Sequence, residues 1–207
     1  MGLDWMLDKV KPRPGSERRF EEINKLLSEM EEDARSPALE AERDEITISV
    51  FEAIGAPRTG EDPRADEWFR EHMYDPAHAD ALKGEGNPKF CEFWGQSFEE
   101  CLADNKGKYV VELAEKTGGI AAVSGMVMVS NLDFRGKVLR FIEGLDEVLV
   151  DESYEDHTAE ECVDYARRLE EQLPRVADGP EGKELLQGAI SWLRFWGELG
   201  FGYHAWY

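Results

Sequence analysis

Apolar residues recur at helical spacing in several stretches of the chain and alternate with polar ones in others. Phe20, Ile23, Leu26, Leu27 and Met30 follow Ser16 at such spacing, with acids between them. That pattern predicts a helix capped by Ser16, which stops near residues 33–35 because Pro37 disfavours helical geometry just before it. Ile46, Ile48 and Val50 alternate with Thr47, Ser49 and Phe51, predicting a strand over residues 45–54. Asp62-Pro63 opens a helix with Ala65, Trp68, Phe69, His72 and Met73 on its apolar side, and a short helix is expected after Pro76. Ser97-Phe-Glu-Glu100 has the form of a capping box ahead of a short helix carrying Cys101 and Leu102.

Residues 109–114 (Tyr-Val-Val-Glu-Leu-Ala) look like a strand. The apolar runs 120–123 and 126–129 fit either strand or buried helix. Phe134, Val138, Leu139, Phe141, Ile142 and Leu145 mark another helix. Thr158-Ala-Glu-Glu161 is a second capping box, opening a helix with Cys162, Tyr165, Ala166, Leu169 and Leu173 that Pro174 closes. From residue 181 to about 198 the apolar stripe is widest, through Leu185, Leu186, Ala189, Trp192, Leu193, Trp196 and Leu199. Helices lying outside the strand region predict an α+β, predominantly helical fold with a small sheet of two to four strands packed against helices. One domain over residues 1–207 is expected. Residues 1–15, with Pro12, Pro14 and Gly15, read as an extended arm, and 201–207 as a docked aromatic tail.

Met1-Gly-Leu-Asp-Trp5, Lys11-Pro-Arg-Pro-Gly15 and Gly55-Ala-Pro-Arg-Thr-Gly60 resemble short segments of uncharacterised proteins from bacteria, archaea and phages. The resemblance is confined to pieces of the first sixty residues, and no activity comes with it.

Composition narrows the function classes. With 45 acids against 24 bases the formal charge is −21, which argues against direct nucleic-acid binding because that needs a basic face. No run of eighteen apolar residues is present to span a membrane, and the N-terminus lacks the basic flank and apolar stretch of a secretory signal. Three cysteines, Cys91, Cys101 and Cys162, fit a reducing cytoplasm, with a Cys91–Cys101 bridge as the alternative. The acidity has three readings: solubility, adaptation to a saline cytoplasm (halophilic adaptation), and mimicry of nucleic-acid phosphates. Only 10 lysines fits the saline reading, while only 4 threonines fits it less well.

Signatures of catalysis and cofactors are missing. There is no Walker A sequence, no G-x-G-x-x-G, no H-E-x-x-H and no C-x-x-C. No cofactor and no metal site are expected, since His72, His78, His157 and His204 lack ligand spacing. Charge is unevenly spread. Residues 141–166 hold ten acids and no lysine or arginine, whereas residues 104–140 hold six bases and four acids. Within that positive island Phe134-Arg-Gly-Lys137 follows Ser130, Asn131 and Asp133. Backbone N–H groups at a helix start there would hold an anion with Arg135 as a bidentate clamp; His204 would carry a proton if the tail folds over them. The reading that follows is a non-catalytic acidic cytoplasmic protein acting through binding. Its alternatives are a small enzyme or ligand-binding protein with an anion site near residues 130–137, and an acidic nucleic-acid mimic that inhibits a DNA-binding protein. The expected partner is a protein or a small anionic ligand, not nucleic acid and not a membrane. A homodimer contact competes with core packing for the aromatic C-terminus.

Overall fold

The computed structural model describes residues 3–31, 35–74, 96–116, 134–177 and 179–207. In chain order its elements are β1 (Asp4–Leu7), β2 (Val10–Pro12), α1 (Glu17–Ser28), α2 (Pro37–Glu45), β3 (Thr47–Ser49), α3 (Val50–Ala53), α4 (Pro63–His72), α5 (Phe98–Asp104), α6 (Glu147–Glu152), α7 (Ala159–Gln172), α8 (Pro180–Glu198) and β4 (Tyr203–Trp206). Among the described residues, three 3-10 turns, Val111–Leu113, Gly136–Phe141 and Leu173–Arg175, join them. The fold is α+β and predominantly helical. No described helix is long and apolar enough to cross a membrane. Contacts divide the chain into two compact units: Met1–Ala53 with Asp133–Tyr207, and Ile54–Leu132.

In the first unit β1 pairs antiparallel with β4, Asp4 opposite Trp206 and Leu7 opposite Tyr203. Single backbone bridges widen this ribbon on both sides. Trp5 and Phe134 exchange N–H···O bonds of 2.6 and 3.0 Å, and His157 and Tyr203 exchange bonds of 3.0 and 2.9 Å. The strand period of two turns Trp5, Leu7 and Tyr203 inward, where they are 0–3% exposed. There Trp5 packs on Trp192 of α8 and Tyr165 of α7, with ring centroids 5.7 and 6.1 Å apart. α7 and α8 lie close because Gly197 brings no side chain between them; a Cβ there would stand 2.8 Å from the Ala159 carbonyl oxygen. The segment read as an arm thus supplies β1 and β2, and β2 pairs antiparallel with β3.

In the second unit α4 and α5 enclose a small core of Ala65, Trp68, Phe69, Phe98, Cys101 and Val110. Both helices start as their sequences direct. Asp62 accepts from the Arg64 N–H at 2.9 Å, and the Ser97/Glu100 capping box closes in both directions.

Four expectations need correction. The strand over 45–54 ends at Ser49, because the Ser49 hydroxyl accepts from the Glu52 N–H at 3.1 Å and caps α3. Residues 109–114 form no strand. The Val110 N–H reaches the Pro57 carbonyl at 2.8 Å, but Pro57 has no N–H to return, so the ladder stops at one bridge and the chain coils into a 3-10 turn. The helix expected from Phe134 is a six-residue 3-10 turn, Gly136–Phe141. Phe134 is held in its bridge to Trp5, and Gly136 lies so close to the Trp5 indole that a Cβ would be 2.7 Å from Cε2. Finally, Pro37 does more than stop a helix: it sits in the first turn of α2, which the sequence reading lacked. The short helix after Pro76 and the runs 120–123 and 126–129 lie outside the described residues.

Candidate functional site

The outer face of the β1–β4 ribbon follows from the same alternation that buries Trp5 and Tyr203. Met6 stands opposite His204, and Asp4 opposite Trp206. Met6 is 41% and Trp206 66% exposed. The two side chains stand on the same outward face of the ribbon, on opposite strands.

His204 joins three segments of chain. Its Nδ1 lies 3.0 Å from Asp156 Oδ2 and its Nε2 lies 3.1 Å from Asp8 Oδ1. Nδ1 is hydrogen-bonded to Asp156 and Nε2 faces Asp8 as a charge contact, so both carboxylates favour the protonated imidazole. The Asp156 hydrogen bond and the two carboxylate charges raise the His204 pKa above its ordinary value. The His204 bond and the Ala205 N–H, which Asp156 Oδ1 accepts at 2.8 Å, lower that of Asp156. Asp8 moves the other way. Burial raises its pKa against the lowering effects of His204 and of the Gly202 N–H.

Below this face the packing is dense. His157 stacks on Tyr203 and Tyr165, with centroids 4.9 and 5.1 Å away, and its Nδ1 lies 2.9 Å from the Glu155 carbonyl oxygen. Glu152 accepts both terminal nitrogens of the Arg168 guanidinium and lies 3.3 Å from His157 Nε2. The Trp5 indole N–H donates to the Ser153 carbonyl at 2.8 Å. Burial pushes the Cys162 thiol up to about 12, so it stays protonated at neutral pH and is no nucleophile.

Beside the ribbon, α6 and the start of α7 carry the acid-rich stretch. Asp146 caps α6 and the Thr158/Glu161 capping box opens α7. Arg168 satisfies Glu152, and Arg167 and Arg168 satisfy Asp164. Glu147, Asp151, Glu155 and Glu160 are exposed and make no ion pair or side-chain hydrogen bond among the described residues.

The chain matches no protein-family model, no curated protein and no solved structure.

The residues expected from the sequence are therefore placed by geometry alone. Ser130, Asn131 and Asp133 lie outside the described residues. Arg135 is exposed and precedes the 3-10 turn. The Phe134 N–H, expected to face an anion, donates to the Trp5 carbonyl at 3.0 Å. His204, read as a proton carrier beside the 130–137 segment, is exposed on the outer face of the ribbon, with Nδ1 bonded to Asp156 and Nε2 facing Asp8. Among the described residues no group of three His, Cys, Asp or Glu side chains is placed to hold a metal ion. The sequence reading missed Asp8, Asp156 and His157. Their one local signal is the polar Asp156-His157 pair between two helix starts. Asp8 lies 196 positions before His204, so only the β1–β4 register brings them together.

Proposed function

We propose that the protein is a non-catalytic acidic binding protein of the cytoplasm, and that it takes a basic segment of a partner protein on the surface formed by α6, the start of α7 and the adjoining β1–β4 ribbon. The observation that carries this reading is the set of exposed carboxylates left without internal partners, Glu147, Asp151, Glu155 and Glu160, in a stretch of chain with no lysine or arginine from 141 to 166. Unneutralised like charges repel one another, and a cationic partner relieves that repulsion and associates faster. The same charge repels nucleic acid and anionic lipid, so neither is proposed as a ligand.

Of the residues read for the anion-site alternative, Arg135 and His204 are described, and His204 is charge-paired with Asp8 and Asp156. The nucleic-acid-mimic alternative is a special case of the proposal, in which the basic partner is itself a DNA-binding protein.

Fluorescence anisotropy with a labelled nona-lysine peptide tests the reading. Affinity is expected to fall steeply as KCl rises from about 50 to about 500 mM. Glu147→Lys with Asp151→Lys should weaken binding about tenfold. Glu21→Lys with Glu29→Lys makes the same change in net charge on α1 and the residue that ends it, and should leave affinity within about twofold. Absence of binding at low salt, or equal loss in both double variants, would remove the proposed surface.

A further inference from the structure

The ribbon's outer face combines two features that the carboxylates of α6 and α7 do not have. Trp206 is open to solvent on β4, and directly across the ribbon stands Asp4, whose carboxylate makes no ion pair or side-chain hydrogen bond among the described residues. Met6 continues the apolar strip on the next outward position of β1. Asp8 and Asp156 border the strip, held in place through His204. The face is therefore an aromatic and thioether strip with the Asp4 carboxylate at one end and His204, charge-paired with Asp8 and Asp156, at the other. A flat cation matches it: a guanidinium lies on an indole face while its edge N–H groups pair with a carboxylate. An ammonium makes the charge contact but not the stacking one.

We propose that the outer face of the β1–β4 ribbon, with Trp206 and Met6 as its apolar strip and Asp4 as its carboxylate, is the docking surface for an arginine-bearing segment of a partner protein. This rests on the proposed function and adds its contact residues and the identity of the cation. The occupant follows from charge complementarity. A second copy of this chain would bring another −21 charges to the same face, and an anionic lipid surface would be repelled. His204 does not compete for the role of the docked cation, because its ring is already tied to Asp8 and Asp156.

Labelled nona-arginine and nona-lysine peptides distinguish the two proposals. The wild-type chain should bind nona-arginine several-fold more tightly than nona-lysine. Trp206→Ala should weaken nona-arginine about tenfold and nona-lysine by no more than about twofold. Asp4→Asn should weaken both peptides. Equal affinity for the two peptides, or an unchanged nona-arginine affinity in Trp206→Ala, would overturn the docking surface and leave the acidic-face reading standing. Failure of both peptides to bind would overturn both. Met6→Lys, which sets a positive charge in the strip without touching the core, provides a second variant: it should weaken nona-arginine more than Glu21→Lys with Glu29→Lys does, and no difference would count against the proposal. Sedimentation showing a dimer that Trp206→Ala dissociates would assign the face to a second copy of the chain instead.

Discussion

The imidazole of His204 reaches across the ribbon to the carboxylate of Asp8, Nε2 to Oδ1, at 3.1 Å. With Asp156 on its other nitrogen, it ties the C-terminal strand to the turn after β1 and to the segment leading into α7. The tie depends on charge, and its pH window follows from the three groups. His204 has a raised pKa in the fold. Its contribution is therefore fully present below the unfolded histidine value of about 6.5 and is lost as pH rises through the folded value. Asp156 has a lowered pKa. Its contribution is present above the unfolded aspartate value of about 3.9 and is lost as pH falls through the folded value. Asp8, raised by burial, works against the fold as it ionises. The difference in melting temperature between wild type and His204→Ala should thus be largest near about pH 5–6 and shrink toward about pH 9. A difference that is flat across that range, or that grows on the alkaline side, would contradict the tie.

Tyr203 and Tyr165 are stacked on the same histidine, yet their hydroxyls have different surroundings. Tyr165 donates to the Leu149 carbonyl, while the buried Tyr203 hydroxyl has no partner among the described residues. An unpaired buried hydroxyl costs free energy that its removal returns. Tyr203→Phe should leave stability unchanged or raise it, and Tyr165→Phe should lower it by about 1 kcal/mol. Urea unfolding of the two variants checks the contrast; equal losses would show that the Tyr203 hydroxyl is satisfied in solution.

Gly197 is a point of close approach of α8 to α7. A methyl group there meets the Ala159 carbonyl oxygen and Val163 Cγ2, both at 2.8 Å. Gly197→Ala should destabilise the protein by about 1–3 kcal/mol despite the better helix propensity of alanine. Denaturant unfolding measures this, and a stabilised variant would mean that the two helices are not packed this closely.

Much of the helical framework was legible in the sequence because its signals are local. The capping boxes at Ser97 and Thr158 form as read, and α7 buries Cys162, Tyr165, Ala166 and Leu169, the positions marked by their spacing. Where local signals compete, the reading failed. Val50 and Phe51 have strand propensity, but the Ser49 hydroxyl and the turn it caps bend the chain into α3. Val110 is a good strand residue whose potential partner is Pro57. The ribbon was out of reach for a different reason. β1 and β4 are four residues each, too short for a period to stand out, and the register between them is set by contacts across almost the whole chain. His204 was singled out, but as a proton carrier, because the carboxylates that occupy it are distant in sequence or appear there as members of an acidic run. That run also hid a division that only geometry makes. Glu152 and Asp164 are neutralised by Arg168, two residues past its end, while Glu147, Asp151, Glu155 and Glu160 are not.

The most direct measurement is a heteronuclear NMR titration of the labelled chain with unlabelled nona-arginine at low salt. Backbone shifts are expected to move on β1, β4, α6 and the start of α7, with the indole resonance of Trp206 among those that move most, and to recede as salt is added. Shifts confined to α1 or to the second unit, or no saturable shifts at all, would contradict the assignment of a basic-segment binding surface to this face of the protein.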